Sequence, residues 1–418
     1  MSCSKLKKIF CPIHGFIEIR PHILKIIDTF EFQRLRDLKQ LGAAHYVFPS
    51  ATHTRFSHSI AVGHLARKMI ESIQKAQPYL KITKRMIELV EIAGLIHDLG
   101  HGPFSHLWDH YVISHDDKEH EERSCEIFKD MISKYDLDIN DDEYNTICEM
   151  INPSEEFKNN WYYQIVANKR CQLDVDKIDY IQRDSFYLGN IGLNGNFDRL
   201  ITEARVILHD GNLELGWHYR LNYEIFSLFS TRFKLHKLVY THHAVKAHEY
   251  LLLDSLKRSY DKLKKKKIKF TDLTDCSICH QSREGMMQNH RRIAMRNLPT
   301  LVGEAIVSKS NPYYNSSIKN MASPMRIINI LVDKVEIGFS SGDVNPMDHV
   351  FYYKTDIPLK NCDNVILGFY MKPTWCKTEF HEIILRCYDV IGNKSPNSEK
   401  HNEDAQTFWN AYKKELNI

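Results

Sequence analysis

The chain reads as mainly α, a helical core followed by a smaller mixed α/β C-terminal lobe, on three observations. Large apolar residues recur at three- and four-residue spacing through the first two-thirds. The composition then shifts at Asp261–Phe270 to DKLKKKKIKF, with polar, weakly periodic text from Asp272 to Asn289. Beyond it, short β-branched and aromatic runs alternate with turn residues, at Met325–Lys354 and Asn364–Tyr370. The implied units are a core over 1–260, a helical and polar connection over 261–300, and a mixed lobe with tail over 301–418.

Four helices define the core. Val62, Leu65, Met69 and Ile73 give the first, starting near His58, one buried face. The second starts at Thr83, a natural N-cap, and runs through Met86, Val90, Ala93 and Ile96. It is expected to end at Gly100 and Gly102-Pro103, where proline cannot continue the ladder. The third spans Asp176 to Leu188 and stops at Gly189; the fourth is expected to run unbroken from Tyr223 to about Tyr260. In the lobe, Ser340-Ser341-Gly342 reads as a turn and Gly392–Asp404 as a mobile loop before a short terminal helix ending near Leu416.

Composition narrows the function classes. The 418 residues are 43% hydrophobic, ample for a large core, yet no apolar run resembles a signal peptide or membrane span. A soluble, intracellular protein of cytoplasm or nucleus is expected, and ten scattered cysteines suit a reducing compartment. A net charge of +3 makes no general case for nucleic acid, so anion recognition must be local.

The densest chemistry lies in His97-Asp98-Leu99-Gly100-His101-Gly102-Pro103-Phe104-Ser105-His106. An adjacent His-Asp pair offers an imidazole nitrogen and a carboxylate oxygen to one cation, which suits iron, manganese or zinc better than magnesium. A lone His-Asp pair means little. Here it ends an apolar helix, and six histidines (97, 101, 106, 110, 115, 120) fall within 24 residues. Two further ligands are on offer. His58 shares a stripe with Val62, Leu65 and Met69, where a core histidine bonded to a carbonyl is the competing reading. Asp176 shares a helix face with Tyr180 and Asp184, where an exposed salt-bridged face competes.

The order His58, His97-Asp98, Asp176 resembles the metal pattern of the HD superfamily. More specific text surrounds it: Ile26–Thr29, Phe32–Arg36, Lys39–Gly42, Tyr46–Pro49, Arg55–His58, Gly94–His106, Asn168–Arg170, Asp174–Lys177, Met295–Leu298 and Asn345–Val350. These segments resemble the catalytic core of the sterile-alpha-motif and HD-domain dNTP triphosphohydrolases. The match begins near Lys7, so no sterile-alpha-motif domain is expected. The resemblance makes the core an HD-domain helical fold. It implies a dGTPase-like hydrolysis of dNTPs to deoxynucleoside and triphosphate, with a transition metal at the HD site and magnesium accompanying the nucleotide.

The resemblance also distributes roles. His58, His97, Asp98 and Asp176 would ligate the metal. His101, His106, Asp109 and His120 would serve catalysis, with either His106 or His120 as proton donor. Arg55, Lys177, Arg232 and His236 would hold phosphates, and Gln40, Leu41, Tyr180, Asp184 and Tyr240 the deoxyribose. A GTP or dGTP effector would meet Lys7, Asp28, Gln33 and Arg36, with Arg199, Arg220 and Arg296 also at nucleotide-contacting positions of a homo-oligomer, a dimer or tetramer. Phe10 replaces an expected asparagine, His218 an arginine, and Thr300 and Val344 lysines, which implies a weakened second effector site.

Other signals are discounted. Cys276–His280 lacks a second cysteine pair at zinc spacing, and Lys264–Lys267 reads as a solvated helix end rather than a nucleic-acid patch. An HD phosphodiesterase or nuclease, or a nucleotide-binding oligomer without catalysis, is the alternative. The first would not need Arg55, Lys177 and Arg232 together, and the second would not need all four ligands.

Overall fold

The computed structural model describes residues 6–111, 118–192, 196–281, 287–307, 325–327, 329–339, 345–354, 366–371, 381–391, 394 and 398–415. Among these residues it is mainly helical, with three small sheets. The turn expected at Ser340-Ser341-Gly342, together with Val344 and His115, lies outside the described residues.

Strands β1 (Lys7–Cys11) and β2 (Gly15–Ile19) form an antiparallel hairpin that the helical reading of the N-terminal part missed. Helices α1 (Pro21–Ile27) and α2 (Phe30–Gln33) follow, Thr29 capping α2 by accepting from the Phe32 amide. The pillars of the core are α3 (Arg55–Ala76) and α4 (Lys84–Ile96), with Thr83 capping α4 as expected. Gly63 and Gly94 let them close on one another: a Cβ on Gly94 would lie 3.0 Å from the Val62 carbonyl. The second helix ends at Ile96, earlier than Gly100, and a turn carries His97 to Gly100. Around these pillars stand α5 (His106–Tyr111), α6 (His120–Tyr135), α7 (Asp141–Ile151) and α8 (Val175–Tyr187).

After α9 (Asp198–Thr202), strands β3 (Ala204–His209) and β4 (Asn212–His218) form a second hairpin inside the part read as helical. The long helix expected over Tyr223–Tyr260 is broken. It consists of α10 (Asn222–Leu235), a wider π turn at His236–Tyr240, and α11 (His243–Lys264), capped by His242. Apolar periodicity continues through both halves and hides the break, because a π turn inserts a residue without changing residue type.

The polar connection holds α12 (Asp275–Gln281) and α13 (Met287–Ala294). Beyond it come β5 (Thr300–Val307), β6 (Met325–Ile327), β7 (Ile330–Gly338), β8 (Phe351–Tyr353), β9 (Ile366–Leu367), β10 (Phe369–Tyr370) and β11 (His381–Asp389). Helix α14 (Ser398–Glu415) occupies residues expected to be loop up to Asp404. One sheet runs β5-β11-β7-β6, and α14 packs Trp409 against it, where a Cβ on Gly303 would meet the indole at 2.0 Å. The five-stranded sheet runs β10-β8-β4-β3-β9, so strands from the middle of the chain and from its C-terminal part share it. Among the described residues no helix is long and apolar enough to cross a membrane, and the described cysteines are free thiols.

Candidate active site

The core exists to hold one turn. Val90, Ala93 and Ile96 are fully buried, which places His97 at the buried end of α4. Helix α3 begins with Arg55 and brings His58 alongside; α8, capped by Asp174 accepting from the Lys177 amide, brings Asp176. His58 Nε2 lies 3.0 Å from Asp176 Oδ1 and 3.6 Å from Asp98 Oδ2. His97 Nε2 lies 3.4 Å from Asp98 Oδ1 and 3.5 Å from Asp176 Oδ1. Ligand atoms of His58, His97 and Asp176 lie within 4.8 Å of one another, as do those of Asp98, His101 and His120.

These residues fit a cation. His97 Nδ1 faces the Gly94 carbonyl at 2.8 Å and must donate to it. Its Nε2 lone pair is therefore turned toward carboxylate oxygens, buried and without a hydrogen bond. Such a set repels itself unless a positive charge sits among it. Without a metal, protons take that place: burial opposes charge on His58, but the Asp176 and Asp179 carboxylates win and raise its imidazole to about 10. Asp98 stays ionised because burial is outweighed by the Arg55 guanidinium, which is hydrogen-bonded to it.

Several residues brace the turn. Phe104 and Ser105 adopt left-handed backbone, φ 58° and 55°, which starts α5 at His106. Buried Asp275 of α12 holds this strained pair by accepting from the Phe104 amide at 2.7 Å and the Lys39 amide at 2.9 Å. Buried Arg34 donates to the carbonyls of Leu99 (3.1 Å), His101 (2.7 Å) and Leu273 (2.9 Å). Ser124 of α6 donates to the His97 carbonyl at 2.7 Å and accepts from the Gly100 amide at 2.8 Å. Only glycine fits at 100, since a Cβ would lie 2.0 Å from the His120 carbonyl oxygen.

The four residues singled out for catalysis come together. His101 Nδ1 lies 2.9 Å from Asp109, and the His120 ring stacks on His101 at 3.9 Å between centroids. His106 is 5.3 Å from His101 and keeps an exposed face. His120 also faces Asp109 at 3.7 Å and Glu121 at 3.2 Å. Asp109 is held well below the usual carboxylate range: burial opposes this, but His101, His120 and Arg123 prevail. Burial and the neighbouring His101 and Arg55 charges lower His106.

Of the residues singled out for substrate, Arg55 is bonded into the site and Lys177 follows Asp176 on α8. Arg55 donates to Asp98 and to Ser105 Oγ, leaving Nη2 buried and unpaired. Lys177 Nζ pairs with Asp174 at 3.0 Å; burial opposes its charge, but Asp174 and Asp176 keep it raised. Arg232 donates to the Tyr180 hydroxyl at 3.1 Å and the Gly338 carbonyl at 2.9 Å. Tyr240 donates to Asp184 Oδ2 at 2.5 Å, and His53 faces Asp184 Oδ1 at 2.7 Å. Burial, Arg232 and His106 lower His236 well below its ordinary value. His236 and Tyr240 bound the π turn. Gln40 is buried with its carbonyl oxygen unpaired, and Leu41 packs half-buried beside the core.

The residues singled out for an effector are scattered over the surface. Lys7 is exposed on β1 and Asp28 ends α1. Gln33 accepts from Arg36 at 2.8 Å, and Arg36 lies 3.5 Å over the Phe56 ring. Arg199 pairs with Glu203 and Glu224, Arg220 stacks on Tyr219, and Arg296 is exposed with φ 54°. Phe10 stands exposed on β1 in an edge-to-face pair with Phe16.

Sequence reasoning missed Asp179, His14, His53, Arg34 and Asp275. Asp179 had a signal, standing one turn after Asp176 on the same helix. Arg34 and Asp275 had none, because each acts on backbone brought near only by the fold.

The HD domain family model matches residues 55–184, from Arg55 to Asp184. The chain is 36% identical over 363 residues to a deoxynucleoside triphosphate triphosphohydrolase SAMHD1 homolog of Dictyostelium discoideum, covering 82% of this chain and 70% of that protein. It is 33% identical over 413 residues to the deoxynucleoside triphosphate triphosphohydrolase SAMHD1 of Homo sapiens, covering 84% and 66%. It is 42% identical over 272 residues to a putative HD domain-containing protein of Acanthamoeba polyphaga mimivirus, covering 61% and 58%. The chain thus spans between 58% and 70% of the length of these relatives.

Proposed function

The chain belongs to the HD-domain family of SAMHD1-type deoxynucleoside triphosphate triphosphohydrolases, and from that premise we propose that it cleaves dNTPs to deoxynucleoside and intact triphosphate. One observation carries the reading. His58, His97 and Asp176 gather around one point with Asp98 against them, an arrangement suited to a cation, while Arg55 is bonded to Asp98, Lys177 follows Asp176, and Arg232 is bonded to Tyr180 one turn along the same helix. A monoester or cyclic nucleotide would not require three such cations, whereas a triphosphate does.

His58, His97, Asp98 and Asp176 would hold a divalent iron, manganese or zinc ion, magnesium arriving with the nucleotide. Such an ion lowers the pKa of water and polarises a phosphoryl oxygen. The protein's own residues do the rest. Lys177 and Arg232 neutralise the polyphosphate, and Tyr180 and Tyr240, fixed through Arg232 and Asp184, present a rigid wall to the sugar. Of the two candidate proton donors we favour His106, because it faces the open side while His120 faces Asp109 and Glu121. His106 is lowered in the free protein; the charge of a bound polyphosphate would raise it, so it gains its proton with substrate.

Regulation follows the same reading at one remove. A GTP or dGTP effector would meet Lys7, Asp28, Gln33 and Arg36 in a dimer or tetramer, the protein acting in cytoplasm or nucleus. The apolar, exposed Phe10 and the substitutions at His218, Thr300 and Val344 remove polar or cationic contacts, so dependence on a second dNTP should be weakened or lost.

The test is product analysis: each dNTP, with and without GTP, with manganese or magnesium. Triphosphate plus deoxynucleoside, abolished in His97→Ala, is expected. Orthophosphate or pyrophosphate release would overturn the reaction class, and full dATP hydrolysis without guanine nucleotide would overturn the regulation alone.

A further inference from the structure

We infer that the β1–β2 hairpin is coupled to the metal centre through two positioning residues, His14 and Asp179, an inference that rests on His58 being a metal ligand. Asp179 is fully buried, and both of its oxygens are committed. Oδ2 accepts from His58 Nδ1 at 2.7 Å and from Arg183 Nε at 2.8 Å. Oδ1 faces His14 Nε2 at 2.6 Å and accepts from Arg183 Nη2 at 3.0 Å. Four donors fill the four acceptor positions of a carboxylate.

The two ends of this chain of bonds belong to different parts of the fold. His58 stands on α3 and turns its other nitrogen, Nε2, toward Asp176 and Asp98. His14 stands in the turn between β1 and β2, its side chain only 8% exposed. The same hairpin has a second tie to the assembly, since Arg183 Nη2 lies 3.4 Å from Cys11 Sγ at the end of β1. A docked hairpin therefore supplies one of the four donors that fix Asp179, and Asp179 fixes the ring plane of His58 and keeps its Nδ1 protonated. Nε2 is left free to ligate. Partners of this kind set ligand basicity and orientation. Lifting the hairpin withdraws His14 and lets the carboxylate turn toward Arg183. By linkage, a metal that favours the oriented His58 must in turn favour the docked hairpin.

The experiment has two readouts, neither of them turnover. Zinc affinity is measured by chelator competition in wild type, His14→Ala, His14→Gln and Asp179→Asn. Hydrogen exchange of the amides of residues 7–19 is followed with and without zinc. Loss of such a partner costs 10–100-fold in metal affinity. Asp179→Asn is expected in that range, His14→Ala at about tenfold, and His14→Gln, which keeps a donor, closer to wild type. Zinc should slow hairpin exchange in wild type and do so less in Asp179→Asn. Should Asp179→Asn fail to fold with Arg183 left unpaired, the His14 variants and wild-type exchange still decide. Unchanged affinity in both His14 variants, with hairpin exchange indifferent to zinc, overturns the coupling. Wild type that binds no zinc, manganese or iron overturns the metal reading beneath it.

Discussion

Replacing Arg34 with alanine tests whether the turn after His97-Asp98 is held from outside. Its guanidinium donates to three buried carbonyls, those of Leu99, His101 and Leu273, at 2.7–3.1 Å. A hydrogen bond from a charged donor contributes about 1.5–3 kcal/mol net, so three amount to roughly 4–9 kcal/mol. Burying a cation with no carboxylate within 4 Å among the described residues opposes this: burial lowers Arg34 to about 10 even though the more distant Asp275 charge works against it. Several kcal/mol of desolvation are recovered on its removal. The expected net loss is therefore about 2–4 kcal/mol, a large part of the roughly 5–15 kcal/mol that holds a folded domain together. Arg34→Lys should recover less than half, since one ammonium cannot reach three carbonyls arranged around a planar fork. Urea denaturation gives the global loss, and hydrogen exchange at residues 99–102 shows whether the turn opens first. A variant within 1 kcal/mol of wild type, with exchange at those amides unchanged, would refute the bracing argument.

Three further perturbations follow. Gly100→Ala puts a methyl 2.0 Å from the His120 carbonyl oxygen and 2.6 Å from the Ser124 amide, both backbone, so α6 must shift and carry His120 away. At least a tenfold fall in kcat with retained secondary structure is expected, and kcat within twofold of wild type would show that α6 adjusts freely. Asp275→Asn turns one acceptor into a donor facing the Phe104 or Lys39 amide, which should cost about 1–3 kcal/mol by chemical denaturation. For Glu31, burial opposes but hydrogen bonds from Lys134 and Tyr135 win, holding it below its ordinary 4.5. A depressed carboxylate contributes stability that is present above 4.5 and lost as pH falls through its folded value. Glu31→Gln should thus melt below wild type at pH 7 and converge with it under acid, and a gap that persists in acid would assign the loss to packing.

What could be read beforehand follows the range of the forces involved. Thr83 as a cap and the stripe Val62, Leu65, Met69, Ile73 are local and were visible as spacing. The meeting of His58, His97, Asp98 and Asp176 was visible only because residue type and order resemble a known pattern; nothing local in the sequence forces α3, α4 and α8 together. The first hairpin escaped notice because Lys7 to Ile19 is short and its outward residues, Phe10 and Phe16, are apolar, which blurs the alternation a strand should show. The π turn at His236–Tyr240 escaped because it changes backbone bonding and not side-chain rhythm. Asp275 looked like part of a polar connection, and its role comes from two amides more than 150 residues away.

The five-stranded sheet has a consequence for how the chain is made. Trp217 of β4 pairs in parallel with Tyr352 of β8, and Ile207 of β3 with Ile366 of β9. At roughly 5–20 residues per second, a ribosome delivers β8 on the order of ten seconds after β4. Until then the β3–β4 ribbon has two open edges, each a template for a neighbouring nascent chain. Sparse polysomes and early chaperone contact should therefore raise the yield of folded protein, and a message truncated before residue 351 should yield insoluble product, however intact its histidines.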